Sequence, residues 1–174
     1  MFPKEKRMFK ALILIVALTV ISPVSADEGD IWIDINGISK HFGGEDQIFT
    51  DTDGRRREFN ETNIGLGVTY EAGKWYEIKA GFYENTYYKT TAYAGANVAY
   101  DLRIGDLVVS PGVTVGLVTG YDDTPMQVWA IQPMAMPTLS VQYKSVRLNI
   151  GYMPLNQVFN RGNDIITFQL GLKF

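Results

Sequence analysis

The nine residues "NIGLGVTYE", numbered 63–71, alternate between large apolar side chains and small or polar ones. The large apolar side chains stand at every second position: Ile64, Leu66, Val68 and Tyr70. Successive side chains of a β-strand point to opposite faces, so this period of two predicts a strand with one apolar and one polar face. The fold class then depends on what covers the apolar face.

The same alternation recurs along the chain and predicts eight strands, with no helix-period segment of useful length between them. Besides residues 63–71, the predicted strands are 31–42, 75–84, 91–102, 108–118, 133–143, 146–153 and 165–174. Long connections follow the first, third, fifth and seventh strands, and tight turns follow the others. An even number of strands with long loops at one end is typical of bacterial outer-membrane barrels. The alternative is a soluble eight-stranded barrel with its large apolar side chains inside.

The polar face decides between these two barrels. It consists of Gly, Asn, Thr, Gln and scattered charges, which cannot form a dry apolar core by themselves. The apolar face must therefore point outward, where it would exceed the apolar patch that a soluble monomer tolerates. In a membrane this face contacts lipid and not water, so its exposure is not costly. We therefore predict a monomeric, eight-stranded, antiparallel up-and-down transmembrane β-barrel in the bacterial outer membrane.

Aromatic residues near the strand ends fit the girdles that such barrels place at the two membrane interfaces. The alternative for a few of them is that they are packing residues. The candidates are Trp32, Phe42, Tyr70, Trp75, Tyr76, Tyr100 and Tyr152. The terminal Phe174 resembles the closing residue of many outer-membrane barrels.

The N-terminus predicts an export signal over residues 1–26. Basic residues precede the apolar run "ALILIVALTVI", and "SPVSA" provides a small-residue cleavage site that ends at Ala26. The alternative is an uncleaved anchor, but the run is shorter than the roughly 20 residues that span a bilayer. The barrel domain is then expected over residues 27–174.

Composition excludes several classes of function. The net charge of −3 argues against a nucleic-acid partner, which would require a concentrated basic surface. The chain has no cysteine, which excludes thiol catalysis and disulfides. It has a single histidine, so a metal site built from several histidines is impossible. We expect neither a metal nor an organic cofactor.

Glycines are frequent on the predicted inner face. They are Gly65, Gly67, Gly81, Gly95, Gly112, Gly116, Gly151 and Gly171. An eight-stranded barrel is normally just wide enough for side chains to fill, so missing side chains predict room for a ligand-sized hydrophobic or amphipathic cavity, for which the first six are our candidates. Alternatively, the glycines relieve crowding in a strongly curved barrel or are offset by large neighbours.

Prolines suggest where the wall is open. Pro133 and Pro137 lie within the sixth segment, and Pro154 ends the seventh. Proline cannot donate to a strand ladder and a closed barrel has no edge, so unpaired wall is expected near the long loops. A lipid of the outer leaflet can enter the barrel sideways there. The alternative is that Pro133 merely starts a strand and Pro137 sits at a bulge. Pro111, in the fifth strand, either weakens the opposite end or has no functional meaning.

From about Trp32 to Phe174 the chain resembles the PagP-like lipid A palmitoyltransferases. The segments that carry the resemblance are "FYENTYYKTTAYAGANVAY", "PGVTVGLVTGYDD", "IQPMAMPTLSVQY", "IGYMP" and the aromatic end. The resemblance implies an enzyme that transfers palmitate from a phospholipid to lipid A and holds the chain inside the barrel. It also implies polar catalytic residues at the cell-surface end: a histidine near the first long loop and an Asp-Ser pair after the third strand.

His41 occupies the region of that histidine, and Asn85 and Thr86 stand where the Asp-Ser pair would be. Histidine can take a proton near neutral pH, and the threonine retains a hydroxyl. Asn85 cannot supply a carboxylate, which departs from the family. His41 also stands at the end of its strand, and residues 27–31 leave little room for the family's leading helix.

Each of these residues also has a structural interpretation. A lone histidine near a loop is often a hydrogen-bonded surface residue, and Asn85 and Thr86 can close a turn. The run Arg55–Arg57 can bind lipid phosphates, but the surrounding acids favour a locally neutralised loop. Further polar candidates at this end, without a specific motif, are Ser39, Glu61 and Asn63.

The leading functional hypothesis is acyl transfer from phospholipid to lipid A, with His41 as base or orienter and Thr86 supplying a hydroxyl. The alternative is a non-enzymatic barrel that binds lipid, adheres or stabilises the cell surface. A channel ranks third, because eight strands leave no broad aqueous pore.

Overall fold

The computed structural model describes residues 29–42, 48–51, 53–121, 130–155 and 163–174. The strands within these ranges are β1 (Ile31–Phe42), β2 (Ile48–Thr50), β3 (Arg56–Glu58), β4 (Thr62–Gly73), β5 (Tyr76–Glu84), β6 (Thr90–Ala99), β7 (Leu102–Ile104), β8 (Leu107–Thr119), β9 (Ile131–Tyr143), β10 (Val146–Met153) and β11 (Asp164–Lys173). The expected signal peptide, residues 1–26, lies outside the described residues. Within those residues, no helix has the length and apolar character that crossing a membrane requires.

Eight long strands form a closed antiparallel barrel, which confirms the predicted fold class. Each pairs with its neighbours along the chain, and β1 pairs with both β4 and β11, so the first and last strands close the sheet. The short β7 prolongs the hairpin of β6 and β8 at the short-turn end. The hairpin of β2 and β3, in the first long connection, pairs only within itself and was not predicted.

The alternation of β4 determines which face looks outward. Ile64 and Leu66 are 54 % and 51 % exposed, whereas Asn63 and Thr69 are 8 % and 0 % exposed. The apolar face therefore forms the outer surface, as predicted, and the polar face lines the interior. Leu172 is an exception: it belongs to the outward set of β11 but is only 1 % exposed, and no described contact accounts for this.

The interior is a continuous polar network rather than an apolar core. The Gln169 amide donates to Asn36 Oδ1 at 2.8 Å, and the Asn149 amide donates to Gln169 Oε1 at 2.9 Å. The Ser140 hydroxyl in turn donates to Asn149 Oδ1. Buried polar groups are stable when they satisfy one another in this way. The network therefore links four neighbouring strands along the inner wall of the barrel.

Trp32 lies in this interior and not in an interfacial girdle, so that expectation was wrong. The side chain is fully buried, and its indole nitrogen donates to Glu71 Oε1 at 2.6 Å. The alternation of β1 turns Ile31 and Ile33 outward and Trp32 inward, and this alternation outweighs the position near a strand end. Other girdle candidates are exposed on the outer surface: Tyr70, Trp75, Tyr76 and Tyr100.

Candidate functional site

The structure brings together the three predicted catalytic residues at the long-loop end of the barrel. His41 Nε2 lies 3.0 Å from the Thr86 hydroxyl oxygen, within hydrogen-bond distance. His41 is 2 % exposed, Thr86 8 % and Asn85 0 %. When Nε2 carries no proton, it accepts the hydrogen bond from the Thr86 hydroxyl. The pair is thus a buried hydroxyl in contact with a potential base.

Asn85 is fully occupied by turn hydrogen bonds. Its side-chain oxygen accepts from the backbone N–H groups of Tyr87 and Lys89 at 2.8 and 3.0 Å. Its amide nitrogen donates to the Thr91 hydroxyl and to the carbonyl of Gly120 at 3.0 and 2.8 Å. This is the turn chemistry that was the alternative for this residue. Asn85 therefore builds the loop that presents Thr86.

A second asparagine, Asn60, fixes this loop against the start of β4. The backbone N–H of Asn60 donates to the carbonyl of Thr86 at 2.8 Å. Its side-chain amide donates to Glu84 Oε1 at 2.9 Å and to the carbonyl of Asn85 at 3.2 Å. Asn60 was not among the predicted site residues, although the polar run "NETN" before an apolar strand is a usable signal.

An aromatic cluster covers the imidazole of His41. Phe59 stacks on the ring with the centroids 4.7 Å apart. Phe49, carried by β2, stacks on Phe59 and meets Tyr87 edge-on at 5.0 Å. Burial raises the pKa of Tyr87 to about 12, so its phenol stays neutral. The cluster keeps bulk water from the pair, and no sequence motif identified it.

His41 lies beyond the lipid-facing part of β1. Ile38 is the last outward aliphatic residue of β1; the next outward residue, Lys40, is 60 % exposed and paired with Glu61 at 2.8 Å, and the aromatic Phe42 ends the strand. A charged pair at this position marks the end of the apolar belt. Burial lowers the pKa of His41 below its ordinary value because it penalises the imidazolium form. At neutral pH His41 is therefore a neutral imidazole.

Beside the site, the described strand pairing between β9 and β10 stops before the end of β9. Between β9 and β10 the paired register ends at Thr138 and Gly151, whereas β9 continues to Ile131. Pro133 and Pro137 face outward on this continuation, and Pro154 directly follows β10. Since β9 already begins at Ile131, Pro133 does not start the strand. Among the described residues, no strand pairing joins residues 133–137 of β9 to β10.

The unpaired wall is close to the pair across the sheet. His41 stands opposite Ile165 on β11, and Ile165 stands opposite Met153 on β10. Neighbouring strands are about 4.8 Å apart, so two strand steps separate His41 from the gap. On the inner side of the gap, Met134 and Met136 are half-buried. Flexible methionines are well suited to line an irregular apolar passage.

The inner-face glycines lie at points where strands or large side chains approach closely. A Cβ on Gly65 would stand 2.0 Å from the carbonyl oxygen of Phe82, and one on Gly67 would stand 2.2 Å from the Tyr93 hydroxyl. The same crowding by neighbouring backbone holds for Gly81, Gly95, Gly112 and Gly116. At these six positions the space is occupied, which favours the relief-of-crowding alternative over an open acyl-chain cavity.

A cavity lies at the opposite, short-turn end. It has a volume of about 540 Å³, and its lining includes Arg147, Glu77 and Glu71. The guanidinium of Arg147 is bonded to Glu77, and it lies 3.8 Å from Glu71 and 4.0 Å from Asp34. It also lies 4.3 Å from the ring of Trp32. This charged cluster is remote from the predicted catalytic residues.

Of the remaining polar candidates, Asn63 and Glu61 have side-chain hydrogen-bond partners, whereas the buried Ser39 hydroxyl has none among the described residues. The Asn63 amide donates to the carbonyls of Asn60 and Glu84. The Ser39 backbone N–H donates to the Glu61 carbonyl at 2.9 Å. In the run Arg55–Arg57, Arg57 pairs with Asp51 at 2.7 Å, as expected for a locally neutralised loop.

No protein-family model matches this chain, and no curated protein is significantly similar to it in sequence. Solved structures show similarity of fold. A de novo designed transmembrane β-barrel matches with a TM-score of 0.54 and 15 % identity, over 87 % of this chain and 100 % of the designed one. A second designed barrel, TMB2.3, has a TM-score of 0.50 and 17 % identity, over 86 % and 98 % of the two chains. The N-terminal barrel domain of Pseudomonas aeruginosa OprF matches with a TM-score of 0.46 and 13 % identity, over 84 % of this chain and 98 % of that domain. This chain therefore has the fold of a small transmembrane β-barrel.

Proposed function

We propose that this chain is a monomeric outer-membrane enzyme that transfers an acyl chain from a phospholipid to lipid A. The observation that carries the proposal is the buried contact of 3.0 Å between His41 Nε2 and the Thr86 hydroxyl. A hydroxyl held against a neutral imidazole is the minimal arrangement for nucleophilic acyl transfer. The resemblance to the PagP-like palmitoyltransferases supplies the substrate class.

The chemistry needs two steps. Thr86 Oγ1 attacks the ester carbonyl of the phospholipid while His41 Nε2 takes the hydroxyl proton. The bond to the glycerol oxygen breaks, and that oxygen leaves with the proton from His41. An acceptor hydroxyl on lipid A then attacks the acyl-threonine and gives its proton to His41. Thr86 recovers a proton as it leaves, so atoms and charge balance.

The unpaired wall between β9 and β10 supports a route for the acyl chain. It lies two strands from His41 and opens toward the outer leaflet, where both substrates reside under this proposal. Pro137 and Pro154 keep the wall open because neither can donate a ladder hydrogen bond. The chain would enter past Met134 and Met136, on the inner side of the gap.

Lipid A mass spectrometry tests the proposal directly. Expression in a Gram-negative host without its own lipid A palmitoyltransferase should add the mass of one acyl chain to lipid A. Thr86→Val keeps the shape and removes the hydroxyl, so the added species should disappear, and it should disappear in His41→Ala. Thr86→Ser should retain activity. Thr90→Val, at an exposed threonine, is the matched control and should leave the product unchanged.

The alternative is a barrel without catalysis that binds lipid, adheres or stabilises the surface. The polar network of the interior favours this alternative, because Asn36, Gln169 and Asn149 hydrogen-bond to one another and stabilise the barrel without a bound substrate. Unaltered lipid A from cells that carry the inserted, heat-modifiable barrel would support this alternative and reject acyl transfer.

A further inference from the structure

The carboxyl group of Glu61 is held beside His41 by two contacts with β1. The Glu61 carbonyl accepts a hydrogen bond of 2.9 Å from the backbone N–H of Ser39, two residues before His41. Its side-chain Oε2 accepts one of 2.8 Å from Lys40 Nζ, the residue before His41. Backbone and side chain of Glu61 are therefore both fixed against the strand end that carries the imidazole.

The second carboxylate oxygen of Glu61 remains available. Glu61 Oε1 is buried and has no hydrogen-bond partner among the described residues. The Glu61 side chain is 34 % exposed, and hydrogen bonds from Lys40 and from the backbone N–H of His41 lower the pKa of its carboxyl group. Glu61 is therefore an ionised carboxylate next to the residue that carries the imidazole.

Few charged groups surround His41 in the described part of the chain. Lys40 stands on its own strand, Glu61 precedes β4, and Asp164 lies on β11 opposite Phe42. The Asp164 carboxylate accepts a hydrogen bond from the Tyr152 hydroxyl at 3.1 Å. The charges that act on the His41 pKa are Glu61, which raises it, and Lys40, which lowers it. Burial outweighs Glu61, so the net shift is downward.

We propose that Glu61 is a positioning residue for His41 and supplies the carboxylate that Asn85 cannot. Its negative charge stabilises the imidazolium that forms when His41 takes the proton of Thr86, and it favours the ring orientation that directs Nε2 to Thr86. A hydroxyl, an imidazole and a carboxylate then form a triad of the general kind that activates nucleophiles. The role of Glu61 in catalysis rests on the proposed acyl transfer, whereas its effect on the His41 pKa does not.

The single histidine of the chain allows a direct test without any activity assay. The purified barrel, labelled with ¹³C at histidine Cε1 and inserted in lipid nanodiscs, gives one NMR signal whose pH titration reports the His41 pKa. Removing a nearby negative charge destabilises the imidazolium, so Glu61→Gln should lower the His41 pKa by about 0.5 to 1 unit. Glu58→Gln, at an exposed glutamate of β3, is the matched control and should leave it unchanged.

Lys40→Met provides an independent arm with the opposite sign. Removing the positive charge should raise the His41 pKa, and this expectation holds even if Glu61→Gln does not insert. A His41 pKa that is unchanged or higher in an inserted Glu61→Gln barrel would overturn the proposal. So would an unchanged pKa in Lys40→Met when Glu61→Gln cannot be obtained.

An activity assay separates this proposal from the proposed function. If acyl transfer occurs, Glu61→Gln should lower kcat about 10- to 100-fold with little change in KM, and Glu61→Asp should recover part of it. If the wild type transfers the acyl chain and Glu61→Gln does so at the same rate, Glu61 has no role in catalysis, and the proposed acyl transfer still stands. No acyl transfer by the wild type, together with a shifted His41 pKa in Glu61→Gln, rejects the reaction and retains the coupling.

Discussion

The two ends of the barrel bury polar groups in different ways. At the short-turn end, Arg147 lies against three carboxylates and the face of Trp32. At the long-loop end, the buried contact is between two neutral groups, the imidazole of His41 and the hydroxyl of Thr86. Buried charges that neutralise one another serve to stabilise the fold. A neutral pair of a base and a hydroxyl remains available for chemistry.

The difference also appears in what surrounds each cluster. The Arg147 cluster borders a cavity of about 540 Å³ and joins strands across the barrel. The His41 pair is covered by Phe59 and Phe49 and lies near an unpaired stretch of wall. The comparison predicts that substitutions at the first cluster change stability, whereas substitutions at the second change activity.

The largest effect is expected at Arg147. Arg147→Met removes the cation that the carboxylates of Glu77 and Glu71 share, which should cost about 3 to 5 kcal/mol of unfolding free energy. Urea titration in lipid vesicles, with the folded fraction measured by heat-modifiable gel mobility, checks this. The control Arg103→Met, at an arginine whose side chain is 54 % exposed, should change it by less than about 0.5 kcal/mol. Equal loss in both variants would contradict a structural role for the Arg147 cluster.

A smaller effect is expected between the two ends, at Gly67. Gly67→Ala places a Cβ against the Tyr93 hydroxyl and should cost about 1 to 3 kcal/mol through overpacking. The double variant Gly67→Ala with Tyr93→Phe removes that oxygen and should recover part of the loss in the same titration. A neutral Gly67→Ala would show that the space at this glycine is open, as a cavity requires.

At the long-loop end the effect on stability should be smaller again. Thr86→Val removes one buried hydrogen bond and should change the unfolding free energy by about 1 kcal/mol. The lipid A assay should nevertheless lose its product completely. A loss of stability as large as that of Arg147→Met would make the His41 pair structural and remove the contrast between the two ends.

The smallest effect concerns pH. Because burial disfavours the imidazolium, the folded pKa of His41 lies below its unfolded value near 6.5. The base therefore stays neutral as the pH falls through 6.5, and acyl transfer should decline only at lower pH. The contribution of His41 to stability is likewise present above 6.5 and is lost as the pH falls through the folded pKa. A decline of activity that begins above pH 6.5 would be inconsistent with a buried base.

Much of the fold followed from local pattern. The bounds of β1 and β10 coincide with the predicted segments, because alternation and flanking turn residues are short-range signals. The hairpin of β2 and β3 was missed, since its strands have three residues each and carry no readable period. Trp32 was placed wrongly for a different reason. Its position near a strand end suggested a girdle, but the alternation of β1 turns its side chain inward.

The candidate site was only partly predictable. His41 and Thr86 were named from a resemblance, and their sequence separation of 45 residues gives no indication of contact. Asn60, Phe59 and the pairing of Lys40 with Glu61 depend on the arrangement of the first long loop over the barrel. Their roles arise from contacts between segments that no local pattern encodes.

The sequence by itself determined the number of long barrel strands, the end that carries the long loops, and the outward direction of the apolar face. These follow because a period of two fixes the face of each side chain, and because a large apolar outer surface is stable in a bilayer but not in water. Only the tertiary structure decided which inward residues touch. Closure of β1 on β11, the crowding at Gly67, the charge cluster around Arg147 and the contact of His41 with Thr86 all depend on register across strands, which is set by the whole barrel at once.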